Sequence, residues 1–219
     1  VPIYSDFQGK LAYDVNDRHQ FDLMGVAGFD LIELKPKDAD DAVDGEDFSK
    51  QDVSQVVAGA NWRWLFSQAG YSETSLALTA NDFVTRVDDN PTRARLFDND
   101  SREREITLRN KSFDCPKPGL AVESGFDIKR IGSDFQFFVA ADTNRVNVVI
   151  PELRIKNEVA TTKLGSYVGL NQELDLHVQL RAGLRLDYFD YNEEVDWSPR
   201  LAASFKLSDV TSLNAAWGI

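Results

Sequence analysis

The sequence predicts an all-β chain, an antiparallel up-and-down transmembrane β-barrel of about ten strands. Two observations carry that expectation: apolar residues recur with period two in segment after segment, and short connections alternate strictly with long ones. The stretch HVQLRAGLRLDYF, residues 177–189, shows the first most clearly. Val178, Leu180, Ala182, Leu184, Leu186 and Tyr188 fall on one side of an extended chain, and Gln179, Arg181, Gly183, Arg185 and Asp187 on the other. One oily face and one charged face suit a wall between hydrocarbon and water.

In chain order, Phe7, Gly9, Leu11, Tyr13 and Val15 make the first strand, which should run to Asn16. Phe21 to Leu31 repeats the pattern, and NWRWLF sets Trp62, Trp64 and Phe66 against Asn61 and Arg63. Leu76, Leu78 and Ala80 follow, then Ile106 and Leu108 between charged neighbours, then Val122, Phe126 and Ile128 against Glu123, Gly125, Asp127 and Lys129. Leu164 to Leu170 precedes the stretch quoted above, and two strands close the chain, Leu201 to Leu207 and Leu213 to Ile219. Most are expected near the ~9–11 residues that a tilted strand needs to cross a bilayer.

Short turns are expected at 16–19, 68–71, 115–119, 172–175 and 207–210, with long polar segments at about 35–54, 87–101, 131–157 and 190–197. A soluble sandwich has no reason to gather its tight turns at one end, whereas an outer-membrane barrel has short periplasmic turns and long external loops. Tyr13, Phe21, Trp62, Phe66, Tyr71, Tyr188, Phe189, Tyr191, Trp197 and Trp217 lie mostly toward strand ends, where interfacial girdles belong, although aromatics also favour strands in general.

Composition excludes several classes. With 24 basic and 36 acidic residues the net charge is -12, which leaves no footprint for nucleic acid. The single cysteine, Cys115, excludes an internal disulfide framework and a cysteine-cluster metal site. No uninterrupted apolar run is long enough for a transmembrane helix. A barrel shares this soluble-looking average, because half of its strand residues face water.

Candidate chemistry is sparse. Arg63, Arg181, Arg185 and Asp187 are expected to face the lumen, where guanidinium groups suit carboxylate or phosphate ligands. The weightier reading is that they only solvate the wall. The acidic loop between Lys35 and Asp52 lacks EF-hand spacing, since Ala42 stands where a ligand belongs, and reads as a solvated external loop rather than a calcium site. His19 and His177 have no neighbouring Cys or second His, no serine sits in a nucleophile elbow, and neither a metal, a cofactor nor an enzyme activity is expected.

The run GLRLDYFDYNEEVDWSPRLAASFKLSDVTSLNAAWGI resembles the barrel of TonB-dependent outer-membrane receptors. Its features here are Arg185, Asp187 and Tyr188, then Ser198, Pro199 and Arg200, then Asp209, Thr211, Leu213 and Ala215. DFQGKLAYDVNDRHQFDLMGVAG and WRWLFSQAGYSETSLALT are similar to earlier strands of the same barrel. The resemblance implies that residues 1–219 are a partial β-barrel domain, about ten strands of a larger 22-stranded barrel, without the plug domain. It implies a location in the outer membrane of a Gram-negative bacterium. The function it implies is import of a scarce bulky ligand such as a ferric siderophore, cobalamin or a glycan. The implied partners are membrane lipid, the receptor's own plug, an inner-membrane energy-coupling protein acting through that plug, and the small-molecule ligand. Alternatives are a complete small barrel, a porin or an outer-membrane protease, and a soluble β-sandwich binding module.

Overall fold

The computed structural model describes residues 2–34, 47–89, 92–143 and 148–219. Among the described residues twelve strands follow in chain order: β1 (Ile3–Asn16), β2 (His19–Leu34), β3 (Phe48–Leu65), β4 (Tyr71–Asp88), β5 (Arg95–Lys117), β6 (Leu120–Val139), β7 (Asp142–Thr143), β8 (Val149–Ile150), β9 (Leu153–Glu173), β10 (Val178–Phe189), β11 (Glu194–Ser208) and β12 (Thr211–Gly218). Ten of them form one sheet in the order β1-β2-β3-β4-β5-β6-β9-β10-β11-β12, and β7 and β8 make a separate two-stranded ribbon. Every pairing is antiparallel and joins chain neighbours, apart from β6 with β9, which flank the ribbon. The sheet is therefore an up-and-down meander.

A β-sandwich is ruled out, because the described residues contain one extended sheet and no buried hydrophobic side chain. Most apolar residues of the alternating runs lie on one surface instead, although Met24, Val26 and Val57 face the other way. One line of cross-strand partners runs Leu11, Leu23, Ala60, Leu76, Leu108, Ile128, Leu164, Tyr188 and Val195. Leu11 is 61 % exposed and Val195 66 %, values a soluble fold would not give its main hydrophobic row.

Leu11 stands mid-way along the apolar run of β1, but Val195 is at the extreme end of the run on β11, whose centre is Leu201. The apolar band thus slips about six residues against the hydrogen-bond rows over eight strand steps, which sets the strands about 30° off the band's normal, given ~3.3 Å per residue and ~4.8 Å between strands. A tilted barrel wall crossing a level hydrocarbon layer requires such a slip.

Asn16 ends β1, as expected, and its Oδ1 accepts from the backbone N–H groups of Arg18 and His19 at 2.9 and 3.1 Å. At 118–119 the turn needs glycine, since Gly119 has φ of +77°. Strand length departs from expectation: β5 has 23 residues, β9 has 21 and β6 has 20. At ~3.4 Å per residue β5 is about 78 Å long, some three times the ~25 Å lipid-facing band of a barrel. Much of 87–101 and 131–157 is accordingly strand rather than loop, and the expected long segment at 190–197 shrinks to a turn at 190–193. Most of the acidic loop falls on 35–46, outside the described residues.

Candidate functional site

The polar face carries the charges. A row of cross-strand partners on it runs Gln20, Arg63, Glu73, Lys111, Gly125, Tyr167, Arg185 and Ser198. Antiparallel pairing places such partners side by side on one face, so alternation along each strand becomes a charged ladder across the sheet.

Arg185 is the best-anchored member. Its Nε donates to Asp187 Oδ2 at 2.7 Å and its Nη2 to Asp187 Oδ1 at 2.5 Å, a bidentate grip on a residue two positions along the strand. Nη2 also reaches Asp127 Oδ1 on β6 at 3.3 Å. Gly165 of β9 lies between the two strands, and a Cβ there would come within 2.7 Å of Arg185 Nη2. Next to it, Tyr167 leans over Gly125, whose Cβ would meet the phenol ring at 2.7 Å. Two glycines thus open the floor on which these longer side chains cross.

Arg63 stands apart from this cluster. It pairs with Glu73 at 3.7 Å and lies 5.1 Å from the centre of the Tyr71 ring. It shares a row with Arg185 but is five strand steps away, about 24 Å at ~4.8 Å per step. Arg181 lies four residues nearer the β9–β10 turn than Arg185, and among the described residues its side-chain hydrogen bond is to Gln179 Oε1 at 3.3 Å. The sequence-predicted set therefore resolves into one cluster, Arg185 with Asp187, and two separate arginines.

Register adds residues that sequence reasoning passed over. Lys129 binds Glu105 at 2.9 Å, Lys111 approaches Glu123 at 3.8 Å, and Lys163 caps the Phe189 ring at 4.3 Å. Arg109 and Arg200 also stand on this face and make no ion pair among the described residues; Asp127, the cross-strand neighbour of Arg109, is engaged by Arg185. Their alternation with apolar neighbours is the signal that marks all of them, but which ones meet depends on strand register.

Two of the expected girdle aromatics, Tyr71 and Phe189, are on this polar face. The rest of the pattern is stronger than expected near the 16–19 turn. Phe21, Trp62 and Trp64 form a stacked plate on the apolar face, edged by Phe66 at 5.6 Å from Trp64. His19 stacks on both tryptophans and accepts a hydrogen bond at Nδ1 from Trp62 Nε1 at 3.2 Å. His177 sits in a turn beside Asp175. The two histidines belong to different turns and share no cluster.

The chain matches the family described as TonB dependent receptor-like, beta-barrel, over residues 4–218. No curated protein matches it significantly. Its fold is similar to the ferripyoverdine receptor of the outer membrane of Pseudomonas aeruginosa bound to ferripyoverdine, with a TM-score of 0.69 and 12% identity over 98% of this chain and 35% of that one. It is also similar to the outer membrane transporter YddB from Escherichia coli, with a TM-score of 0.67 and 12% identity over 99% and 31%. The siderophore receptor PirA from Pseudomonas aeruginosa gives a TM-score of 0.61 and 16% identity over 98% and 32%. The chain spans about a third of the length of these structures.

Proposed function

The chain belongs to the TonB dependent receptor-like β-barrel family, and from that premise we propose that it forms part of the wall of an outer-membrane importer for a scarce, bulky ligand such as a ferric siderophore, cobalamin or a glycan. The supporting observation is the two-faced sheet: a level apolar band on one surface and a charged ladder on the other. Hydrocarbon is the solvent that tolerates the first face, and an enclosed aqueous passage the second.

In this reading Arg63, Arg181, Arg185 and Asp187 line the passage in two different roles. Arg185 is already neutralised by Asp187 and Asp127, and Arg63 leans on Glu73, so both stiffen the wall. Arg109, Arg181 and Arg200 keep unspent hydrogen-bonding capacity for a carboxylate or phosphate on a plug or on an incoming ligand. Strands that continue well past the hydrocarbon raise the wall toward the external loops, where a ligand would first be captured. Neighbouring structures bear names that include a siderophore receptor and an outer membrane transporter, which favours import over a porin or a protease. No cofactor, catalytic residue or nucleic acid enters. The partners are lipid of a Gram-negative outer membrane, a plug, and an inner-membrane energy-coupling protein that acts through it.

The test is uptake by cells expressing the full-length protein that carries this chain, using labelled ferric siderophores, cobalamin and oligosaccharides. Accumulation of one class that stops when the inner-membrane proton gradient is collapsed is the expected result. Passage that ignores the gradient would overturn active import in favour of a passive pore.

A further inference from the structure

β9 outruns its neighbour on the side of the long connections. β10 ends where Phe189 pairs with Lys163 and the chain turns back at 190–193, whereas β9 begins at Leu153. Asp190 closes the step: its N–H donates to Thr162 O at 3.1 Å, and its Oδ1 accepts from Thr162 N–H at 2.6 Å. Beyond Thr162, β9 pairs with β6 alone and without a register break, as far as Leu153 opposite Val139.

Backbone groups of successive strand residues point to opposite edges. Thr162 bonds toward β10, and the Glu173 N–H bonds to Gly119 on the β6 side, so even-numbered residues of β9 face away from β6. The N–H and C=O groups of Arg154, Lys156, Glu158 and Ala160 therefore line a free edge, and among the described residues no hydrogen bond reaches them. Such edges are commonly blunted by a bulge or a proline, and neither occurs between 153 and 160. Donor and acceptor pairs repeating every ~6.8 Å in one plane match another extended polypeptide.

The two faces beside this edge differ. Leu153, Ile155 and Val159 stand on the inner face, continued by Val139 and Phe137 of β6 and by Phe97 of β5, whose ring meets Phe137 edge-on at 5.2 Å. Leu153 is 46 % exposed and Ile155 40 %. On the outer face Arg154 lies over the Phe138 ring at 4.3 Å and pairs with Glu152 at 2.9 Å. Lys156 and Glu158 make no ion pair among the described residues, and Glu158 stands opposite Asp134, a like charge that a cation on a further strand would offset.

We propose that the free edge of β9, residues 154–160, binds an extended peptide presented from outside the cell, which joins the sheet as an added strand. Its residues alternate, apolar toward the inner face and charged toward the outer, with a base beside Glu158 and an acid beside Lys156. A second copy does not fit. Two barrels upright in one membrane, related by an axis along its normal, would join these edges with faces exchanged, the apolar side of one running into the charged side of the other. The position of the edge outside the membrane rests on the barrel reading above.

The experiment uses the full-length protein in lipid nanodiscs and on intact cells, with a fluorescent nonapeptide that alternates valine with lysine and glutamate. Saturable binding is expected in both settings. N-methylation of one alternate set of its amides should weaken binding at least about tenfold, and methylation of the other set should leave it within about twofold, because only one set faces β9. Lys156→Pro removes a donor from the free edge without touching the ladder to β6, and should weaken binding by a similar factor. Heat-modifiable gel mobility reports whether that variant is folded. A folded wild type that binds no peptide overturns the proposal and leaves the barrel reading intact. So does equal tolerance of both methylations, unchanged binding by folded Lys156→Pro, or a wild-type dimer that Lys156→Pro dissolves. Binding in nanodiscs but not on cells overturns the external position of the edge. A wild type that fails to fractionate with the outer membrane overturns the barrel reading itself.

Discussion

Arg185 of β10 and Asp127 of β6 meet across an intervening strand, 3.3 Å apart over the bare backbone of Gly165. Residues two strands apart rarely touch, because a Cβ on the middle strand fills the gap. Gly165→Ala would place that Cβ 2.8 Å from Asp127 Oδ1 and 2.7 Å from Arg185 Nη2. Both atoms end flexible side chains and can move aside, so the expected loss is under about 1 kcal/mol for this half-exposed pair. The sharper expectation is non-additivity: Arg185→Ala should cost less in the Gly165→Ala background than in the parent. Urea unfolding of the four proteins in lipid vesicles measures the difference.

Leu184 and Gly183 are neighbours on opposite faces of β10. Leu184→Arg should impair membrane assembly by roughly 2–4 kcal/mol, the cost of a cation on the lipid face near the midplane. Gly183→Ser should be mild, since a Cβ there meets Val168 O at 3.5 Å, an ordinary contact. Equal folding yields for the two would reverse the assignment of faces.

Gly119 occupies the left-handed region at φ +77°, and its Cβ would lie 3.0 Å from Glu173 O. Its own carbonyl accepts from Glu173 N at 2.6 Å, which ties the turn to the end of β9. Gly119→Ala should destabilise by about 1–2 kcal/mol through backbone strain. Gly9→Ala, in open space, is the matched control in a thermal melt.

Asp190 opens the turn after β10. A hydrogen bond from the Thr161 hydroxyl, then one from the Thr162 backbone N–H at 2.6 Å, hold its carboxyl below the usual carboxylate range. A lowered folded value means that the stabilisation is complete above the carboxylate's ordinary range and is lost as pH falls through the folded value. The protein should therefore loosen this turn in acid below about pH 4, and Asp190→Ala should flatten that part of the stability profile while leaving less stability at pH 7. Hydrogen exchange at Thr162 across the acid range checks it. Thr92 holds the Asp89 carboxyl down in the same way, so the turn after β4 should follow the same trend.

Within the band, alternation made every strand readable, because each side chain there faces either oil or water. Beyond the band both faces are wet and the pattern disappears while backbone pairing continues. Arg95–Ser101, RLFDNDS, is strand without a period-two signature, which is why the connections were expected to be longer than they are. Parity likewise put Arg63, Arg181, Arg185 and Asp187 on one face, but meeting requires register. Asp127 joins Arg185 only because β6, β9 and β10 align Asp127, Gly165 and Asp187 in one row.

The stagger of just under one residue per strand fixes a curvature as well as a tilt. Carried around a closed ring of 22 strands at about 30°, it gives a cylinder about 40 Å across at the backbone. The ten long strands here span roughly 165° of that circumference. A molecule passing down the axis would then lie about 20 Å from the backbone at Arg181 and Arg200, beyond the reach of an extended arginine side chain, so any grip these arginines have on it depends on whatever fills the bore.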